Sequence, residues 1–191
     1  SFYVYQQVYD QEGRPMEGVY VDRDENGVIN ADDKYFFHKP AADFTMGLNT
    51  TLTYKNWTLA ASGHGSLGNY IYNNVASDGE MLADLWTNSF TSNRLESALW
   101  SNFNQACYLS DYYIKDASFF KVDNVTLGYT FPSLFKSAKL DRALGLNIYA
   151  TVQNVATITN YEGLDPEVFS GIDNNLYPRP RTYILGVKFN F

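Results

Sequence analysis

The C-terminal stretch Arg181–Phe191 restricts the possible folds of this chain more than any other segment. Its apolar residues recur at every second position, at Tyr183, Leu185, Val187, Phe189 and Phe191. The positions between them are polar or small, with Ile184 as the exception: Thr182, Gly186, Lys188 and Asn190. This alternation predicts a strand with one apolar face that runs to its last residue. Such a strand is typical of a transmembrane β-barrel, where one face meets lipid along its whole length.

The overall composition agrees with a barrel but does not require one. Mean hydropathy is −0.31, as expected where half of each strand faces a polar lumen. The chain contains 16 Tyr and 13 Phe, which fit aromatic girdles and equally fit a Tyr-rich, all-β soluble domain. The net charge of −7 argues against a nucleic-acid partner, which would need a basic surface.

The chain contains no recognisable catalytic motif. Cys107 is the single cysteine, and the two histidines, His38 and His64, lie far from it in sequence. The acidic residues show no acid/base pair at a known spacing, and there is no phosphate loop or zinc set. We therefore expect that this protein is not an enzyme.

Two strand pairs follow the same alternating pattern. Phe44–Tyr54 and Trp57–Leu67 are joined by a short turn at Lys55 and Asn56, with aromatic residues at the turn end. In the first strand of the second pair, which precedes Pro132, the parity of the apolar positions switches at Asp123–Asn124. This switch predicts a β-bulge. Pro132 is expected to end that strand because proline cannot donate to the ladder. The pattern resumes over Leu144–Val152.

Long polar segments alternate with short ones along the chain. The long segments are Gln11–Asp43, Gly68–Ala117 and Ala156–Pro180, whereas Ser133–Arg142 is shorter. Outer-membrane barrels have long extracellular loops and short periplasmic turns. With Ser1–Asp10 as a first strand, we count about six strands, too few to close a barrel. Residues 1–191 are therefore expected to be the C-terminal part of a larger transmembrane antiparallel β-barrel.

One polar segment matches a calcium-binding loop position by position. Its predicted ligands occupy alternate positions of a tight loop: Asp22, Asp24, Asn26, the carbonyl of Val28, Asn30 and Asp33. Gly27 permits the sharp turn, and Ile29 is expected to anchor the loop on an apolar surface. Asp33 stands where an EF-hand has Glu, so its shorter carboxylate could bind through one oxygen. The pattern predicts a structural calcium ion, and the alternative is an Asp/Asn/Gly-rich turn that binds nothing.

Aromatic residues in the long segments are candidates for contact with a substrate or with a partner protein: Trp86, Trp100, Tyr112, Tyr113 and Tyr161. Such rings stack on sugars and also form protein interfaces. The alternative is that they form a small core within the loops.

Several stretches resemble one known family in sequence and order. They are Tyr20–Asn30, Gly47–Trp57, Phe119–Pro132, Tyr161–Glu167 and Tyr177–Tyr183 with the terminal Phe191. Together they span nearly the whole chain. On these residues the chain resembles the C-terminal portion of the SusC/RagA-type TonB-linked outer-membrane transporters of Bacteroidota.

The resemblance implies a fold and a function. The family has a 22-stranded barrel that an N-terminal domain plugs, a segment that contacts TonB, and a SusD-like surface lipoprotein as a lid. It imports oligosaccharides or peptides across the cell outer membrane. By this resemblance the long loops would be extracellular, and Asn49, Thr51, Tyr149, Gln153 and Lys188 would line the lumen.

Two other interpretations stay open at this stage. One is a surface adhesin or structural barrel that displays the same loops without transport. The other is a secreted, calcium-stabilised β-sandwich that binds carbohydrate. The sandwich does not explain the apolar terminal strand or the long loops on one side.

Overall fold

The computed structural model describes residues 1–83, 94–136, 143–174 and 177–190. The strands in this part of the chain are β1 (Phe2–Val4), β2 (Gln7–Tyr9), β3 (Pro15–Tyr20), β4 (Tyr35–Phe37), β5 (Phe44–Tyr54), β6 (Trp57–Leu67), β7 (Tyr70–Asn73), β8 (Ile114–Asp116), β9 (Phe119–Lys136), β10 (Ala143–Thr159), β11 (Ile172–Asp173) and β12 (Thr182–Asn190). The helices are α1 (Asn74–Gly79) and α2 (Ala98–Ser101), with 3₁₀ turns at Ala31–Asp33 and Asp111–Tyr113. Among the helices of the described residues, none is long and apolar enough to cross a membrane.

The chain divides into two compact units. The first, which we call the sheet unit, comprises Phe44–Leu67, Phe119–Thr159 and Arg179–Phe191. The second, the loop unit, comprises Ser1–Asp43, Gly68–Ser118 and Asn160–Pro178.

The sheet unit is one antiparallel sheet in the order β5-β6-β9-β10-β12. Phe44 pairs with Leu67, and both Ser66 and Thr159 pair with Phe119. Each loop-unit segment that lies between two of these strands therefore leaves the sheet from the same end. At the other end, Lys55 and Asn56 join β5 to β6, with Lys55 in the left-handed region at φ 54°. The predicted alternation of long and short connections is confirmed.

One face of this sheet is apolar across all its strands and is exposed. Cross-strand pairs such as Leu52 with Leu59 and Val187 with Ile148 keep the apolar side chains on that face. Its large exposed side chains are Phe44, Met46, Leu48, Leu52, Tyr54, Trp57, Leu59, Leu67, Leu127, Phe131, Ile148, Ile158, Tyr183, Leu185, Val187 and Phe189. In a β-sandwich, the apolar faces of two sheets pack together and are buried. The exposure of this face therefore contradicts the β-sandwich alternative.

The opposite face is polar and cross-linked by side-chain hydrogen bonds. Thr126 and Thr151 share a 2.8 Å hydrogen bond between their hydroxyls. Asn147 donates to Thr130 at 2.8 Å, and Asn124 donates to Ser62 at 2.6 Å. Cross-strand pairs of this kind stabilise a sheet and fix its register. The all-β, barrel-type architecture predicted from the alternating pattern is thus confirmed.

The predicted bulge is present at Asp123. Ser62 pairs with Asn124 and Gly63 pairs with Val122, so Asp123 is an extra residue in β9. Its carboxylate Oδ2 lies 2.9 Å from Nδ1 of His64. The switch in the parity of the apolar positions therefore corresponds to a change of register between β6 and β9.

Two expectations about the strands are wrong. The strand β9 does not end at Pro132 but continues to Lys136. Pairing with β6 ends at Tyr129, and the register with β10 shifts between Phe131 and Phe135. Pro132 has no backbone N–H to donate, but it lies in this stretch, where the regular pairing is already interrupted.

The predicted first barrel strand, Ser1–Asp10, is also absent from the large sheet. It forms the short strands β1 and β2, which pair with β4 and β3. The sheet consequently has five strands in the described part of the chain, rather than about six.

The loop unit has a hydrophobic core of its own. β7 pairs with β8 antiparallel and with β11 parallel. The buried cluster consists of Val4, Tyr72, Ala76, Phe103, Cys107, Tyr113 and Ile114. The long polar segments therefore fold into a packed structure, in agreement with the alternative that their aromatic residues form a small core.

Candidate metal centre

The predicted calcium loop lies in the loop unit between β3 and β4. Backbone Val21 N donates to the carbonyl of Gln6 at 3.0 Å, which fixes the entry of the loop. Gly27 at φ 82° and Glu25 at φ 58° adopt left-handed conformations, so the chain reverses over a few residues. The 3₁₀ turn Ala31–Asp33 then leads directly into β4.

Three carboxylates of the predicted ligand set come together. Asp22, Asp24 and Asp33 each offer one oxygen, and these oxygens lie within 4.8 Å of one another. Calcium binds oxygen at about 2.3–2.6 Å, so two ligands on opposite sides of one ion are separated by roughly twice that length. The spacing of these oxygens fits a single calcium ion.

Asp33 is the buried and most constrained member of the group. Its side chain is fully buried, and its two oxygens accept hydrogen bonds from Arg23 N at 2.8 Å and Asn30 N at 2.7 Å. These backbone donors hold the pKa of Asp33 below its usual range. The pKa of Asp24 is raised, first by desolvation and also by the neighbouring charges of Asp33 and Asp22. A divalent cation would offset that repulsion.

The other predicted ligands have local hydrogen-bonding roles. The Asn26 side chain donates to Asp24 at 2.7 Å, and its oxygen accepts from Val28 N at 2.7 Å. Asn30 caps the 3₁₀ turn by accepting from Asp32 N at 2.8 Å. Asn30 also donates to the Val28 carbonyl at 3.3 Å. Ile29 is 42% exposed, so its expected role as an apolar anchor is not seen.

A set of residues missed by the sequence analysis ties the metal loop to the rest of its unit. The Arg23 guanidinium lies 4.6 Å from the centre of the Tyr35 ring. Tyr35 donates to Asp111 at 2.7 Å, and the other oxygen of Asp111 accepts from Gln7 N at 2.9 Å. These partners are separated by as many as 104 positions in sequence, so no local motif indicates them.

The candidate aromatic residues occupy different environments. Trp100 is 53% exposed, and Tyr112 is partly buried. Tyr113 and Tyr161 are only 1% and 6% exposed, and Tyr161 donates to Asp173 at 2.7 Å. These two tyrosines therefore pack inside the loop unit. Trp86 lies outside the described residues, and contact of this group with substrate or lid stays a prediction.

Comparison with known proteins identifies the family. The chain is 46% identical over 194 residues to TonB-dependent receptor SusC of Bacteroides thetaiotaomicron, a match that covers 100% of the chain and 19% of that protein. Its fold matches a structure described as the RagAB peptide importer in the "closed-closed" state, with a TM-score of 0.73 and 22% identity. The chain belongs to the SusC/RagA-type TonB-dependent receptors.

Further relatives agree with this assignment. TonB-dependent receptors P3 and P26 of Formosa agariphila are 28% and 26% identical, over 93% and 90% of the chain and 19% of each relative. The RagAB match covers 100% of this chain and 23% of that chain. This SusC/RagA-type chain thus spans about a fifth of the length of the relatives it matches. No family model matches it.

Proposed function

We propose that this SusC/RagA-type chain forms part of an outer-membrane importer, driven by TonB, that takes up oligosaccharides or peptides with a SusD-like surface lipoprotein. The observation that supports this most directly is the two-faced sheet. Its apolar face is exposed across every strand, and its opposite face bears hydrogen-bonded polar side chains. The first face suits lipid and the second a polar lumen.

The loop unit would lie on the extracellular side. All its connections between barrel strands leave the sheet from one end, as the long loops of outer-membrane barrels do. A lid lipoprotein and incoming substrate would meet this surface first, through exposed residues such as Trp100. Contact with TonB would belong to another part of the receptor.

Import is tested by removing and restoring the receptor gene in its own organism. We expect loss of growth on particular oligosaccharides or peptides as sole carbon source, and recovery with the restored gene. A protonophore should abolish uptake of the same compound, because TonB takes its energy from the inner membrane. A tagged receptor purified in mild detergent should retain a surface lipoprotein. Unchanged uptake of every compound, with the receptor still displayed on the surface, would instead support the adhesin alternative.

We further propose that the loop Asp22–Asp33 binds one structural calcium ion. Asp22, Asp24 and Asp33 would supply carboxylate oxygens, with Asn26, Asn30 and the Val28 carbonyl as nearby oxygen donors. The support is the convergence of the three carboxylates around the buried, hydrogen-bonded Asp33. An ion there would hold the loop, and through Arg23 and Tyr35 it would stabilise the core of its unit.

The calcium proposal is tested by calorimetric titration of the intact receptor after chelation. We expect one calcium to bind, and the double variant Asp22→Ala/Asp24→Ala to bind none. Calcium should also raise the unfolding temperature of the native receptor and leave that of the variant unchanged. Glu12→Ala, which removes an exposed carboxylate of the loop unit outside the cluster, is the matched control and should behave as the native protein. Equal stability of the native receptor with calcium and with chelator would contradict a structural role.

A further inference from the structure

The loop unit contains a second polar site, separate from the calcium loop. A cavity of about 160 Å³ lies among α1, β8 and the segment that follows β10. Six of its lining residues are ionisable: Glu80, Tyr112, Tyr113, Lys115, Glu162 and Asp173. The calcium loop contributes none of its lining.

Two deeply buried residues of this cavity each have one polar atom with unused hydrogen-bonding capacity. Glu80 is 4% exposed and Tyr113 is 1% exposed. Neither Oε2 of Glu80 nor the hydroxyl of Tyr113 has a hydrogen-bond partner among the described residues. A buried polar group without a hydrogen-bond partner destabilises the folded state. Burial also raises the pKa of Glu80, as expected for a carboxylate that is removed from water. Oε2 of Glu80 can accept a hydrogen bond from a ligand, and the Tyr113 hydroxyl can accept one as well as donate.

The lining also contains a cation next to an aromatic ring. The Lys115 ammonium lies 4.5 Å from the centre of the Tyr112 ring. No ion pair between Lys115 and Glu80 occurs in the part of the chain that the structure describes. The lining thus presents a carboxylate acceptor and a cation, with no ion pair between these two groups.

A further carboxylate of the lining is held in place by a neighbouring tyrosine. Tyr161 donates to Asp173, which is 1% exposed. Gly163 leaves room for the Tyr161 ring, because a Cβ at Gly163 would overlap that ring. Tyr161 is therefore a positioning residue for Asp173.

We propose that this cavity binds one small zwitterion of the α-amino acid class, with its ammonium group on Glu80 and Tyr113 and its carboxylate on Lys115. An ammonium group can donate to Oε2 of Glu80 and to the Tyr113 oxygen, and a lysine pairs with a carboxylate. A water occupies roughly 30 Å³, so the volume corresponds to about five waters or one compact molecule. The metal alternative is disfavoured, because the carboxylates of Glu80, Glu162 and Asp173 do not converge as those of the calcium loop do among the described residues. This site does not depend on the proposed import function.

The test is calorimetric titration of the intact, detergent-solubilised receptor with three probes. L-Alanine contains both charged groups, propionate lacks the ammonium, and ethylamine lacks the carboxylate. We expect one alanine to bind per receptor, with the other two probes weaker by at least about tenfold. No binding of alanine, or equal binding of all three probes, would overturn the proposal.

Variants locate the binding in this cavity. Glu80→Gln keeps the shape of the side chain, and Lys115→Met keeps its length; each should weaken alanine binding by at least about tenfold. Glu96→Gln, on an exposed side chain outside the cavity lining, is the control and should bind as the native receptor. An unchanged thermal unfolding curve shows that each variant is folded. Native affinity in a folded Glu80→Gln receptor would overturn the assignment.

Discussion

Individual glycines set how closely the strands of the sheet unit approach. A Cβ at Gly63 would lie 2.6 Å from the Lys121 carbonyl oxygen, beside the Asp123 bulge. A Cβ at Gly186 would overlap the ring of Tyr149 on the neighbouring strand. At Gly63 the obstacle is backbone, which cannot rotate away. Glycine is therefore required at position 63, because a Cβ there would collide with the backbone of the neighbouring strand.

We predict that Gly63→Ala destabilises the receptor by about 1–3 kcal/mol, as overpacking does in well-packed structures. Gly47→Ala on the same sheet is the matched control, because no atom lies within 4 Å of the position that its Cβ would take. Urea unfolding of the refolded receptor measures both. Equal stability of the two variants would contradict the close approach at Gly63.

Cys107 is expected to be chemically inert in the folded receptor. It is 2% exposed, and burial raises the pKa of its thiol. The reactive thiolate is therefore scarce at neutral pH and remains so in mildly alkaline buffer. Maleimide labelling should proceed only after unfolding, whereas Glu12→Cys in a Cys107→Ser background should label at once. Rapid labelling of native Cys107 would mean that the core opens readily.

At the scale of the strand, alternation predicts which side chains face lipid. Leu48 and Asn49 are neighbours in the middle of β5, and both are exposed in the isolated sheet. They lie on opposite faces because successive residues of a strand alternate. The sequence pattern predicted the apolar face of every strand of the sheet. A strand with one apolar face has apolar residues at every second position.

We predict that Leu48→Arg impairs barrel assembly, whereas Asn49→Arg is tolerated. An arginine on the lipid face near the bilayer midplane costs about 2–4 kcal/mol, but one on the lumen face stays in water. The measurement is the fraction of receptor whose migration on a denaturing gel shifts on heating. Impaired assembly in Asn49→Arg alone would reverse the assignment of the faces.

At the scale of the whole molecule, the two units differ in how their backbones are held. The sheet unit has strands of 9 to 18 residues in one continuous ladder. The loop unit has strands of two to six residues and two small apolar clusters in its described part. Short strands open more easily than long, paired ones.

We predict that hydrogen exchange separates the units. In the intact receptor, amides of β9 and β10 should stay protected for much longer than amides of β2 and β3. If the calcium proposal holds, chelation should accelerate exchange in residues 22–33 and leave β9 and β10 unchanged. Mass spectrometry of the exchanged peptides gives both results, and uniform exchange along the chain would contradict the division.

The sequence by itself determined the features that have a local period. Alternation predicted the hairpin β5–β6, the bulge at Asp123 and the apolar face of β12, because a strand repeats every two residues. The spacing of Asp22, Asp24 and Asp33 likewise predicted their convergence, since a tight loop brings alternate residues together.

Only the tertiary structure decided the features that depend on distant partners. Phe2–Val4 pairs with β4 rather than with a strand of the sheet unit, and Pro132 is tolerated because the pairing of β9 with β6 already ends at Tyr129. The cavity around Glu80 and Tyr113, and the link from Tyr35 to Asp111, join residues that share no sequence period. Packing between remote segments leaves no local pattern, so the core of the loop unit could not be predicted from the chain alone.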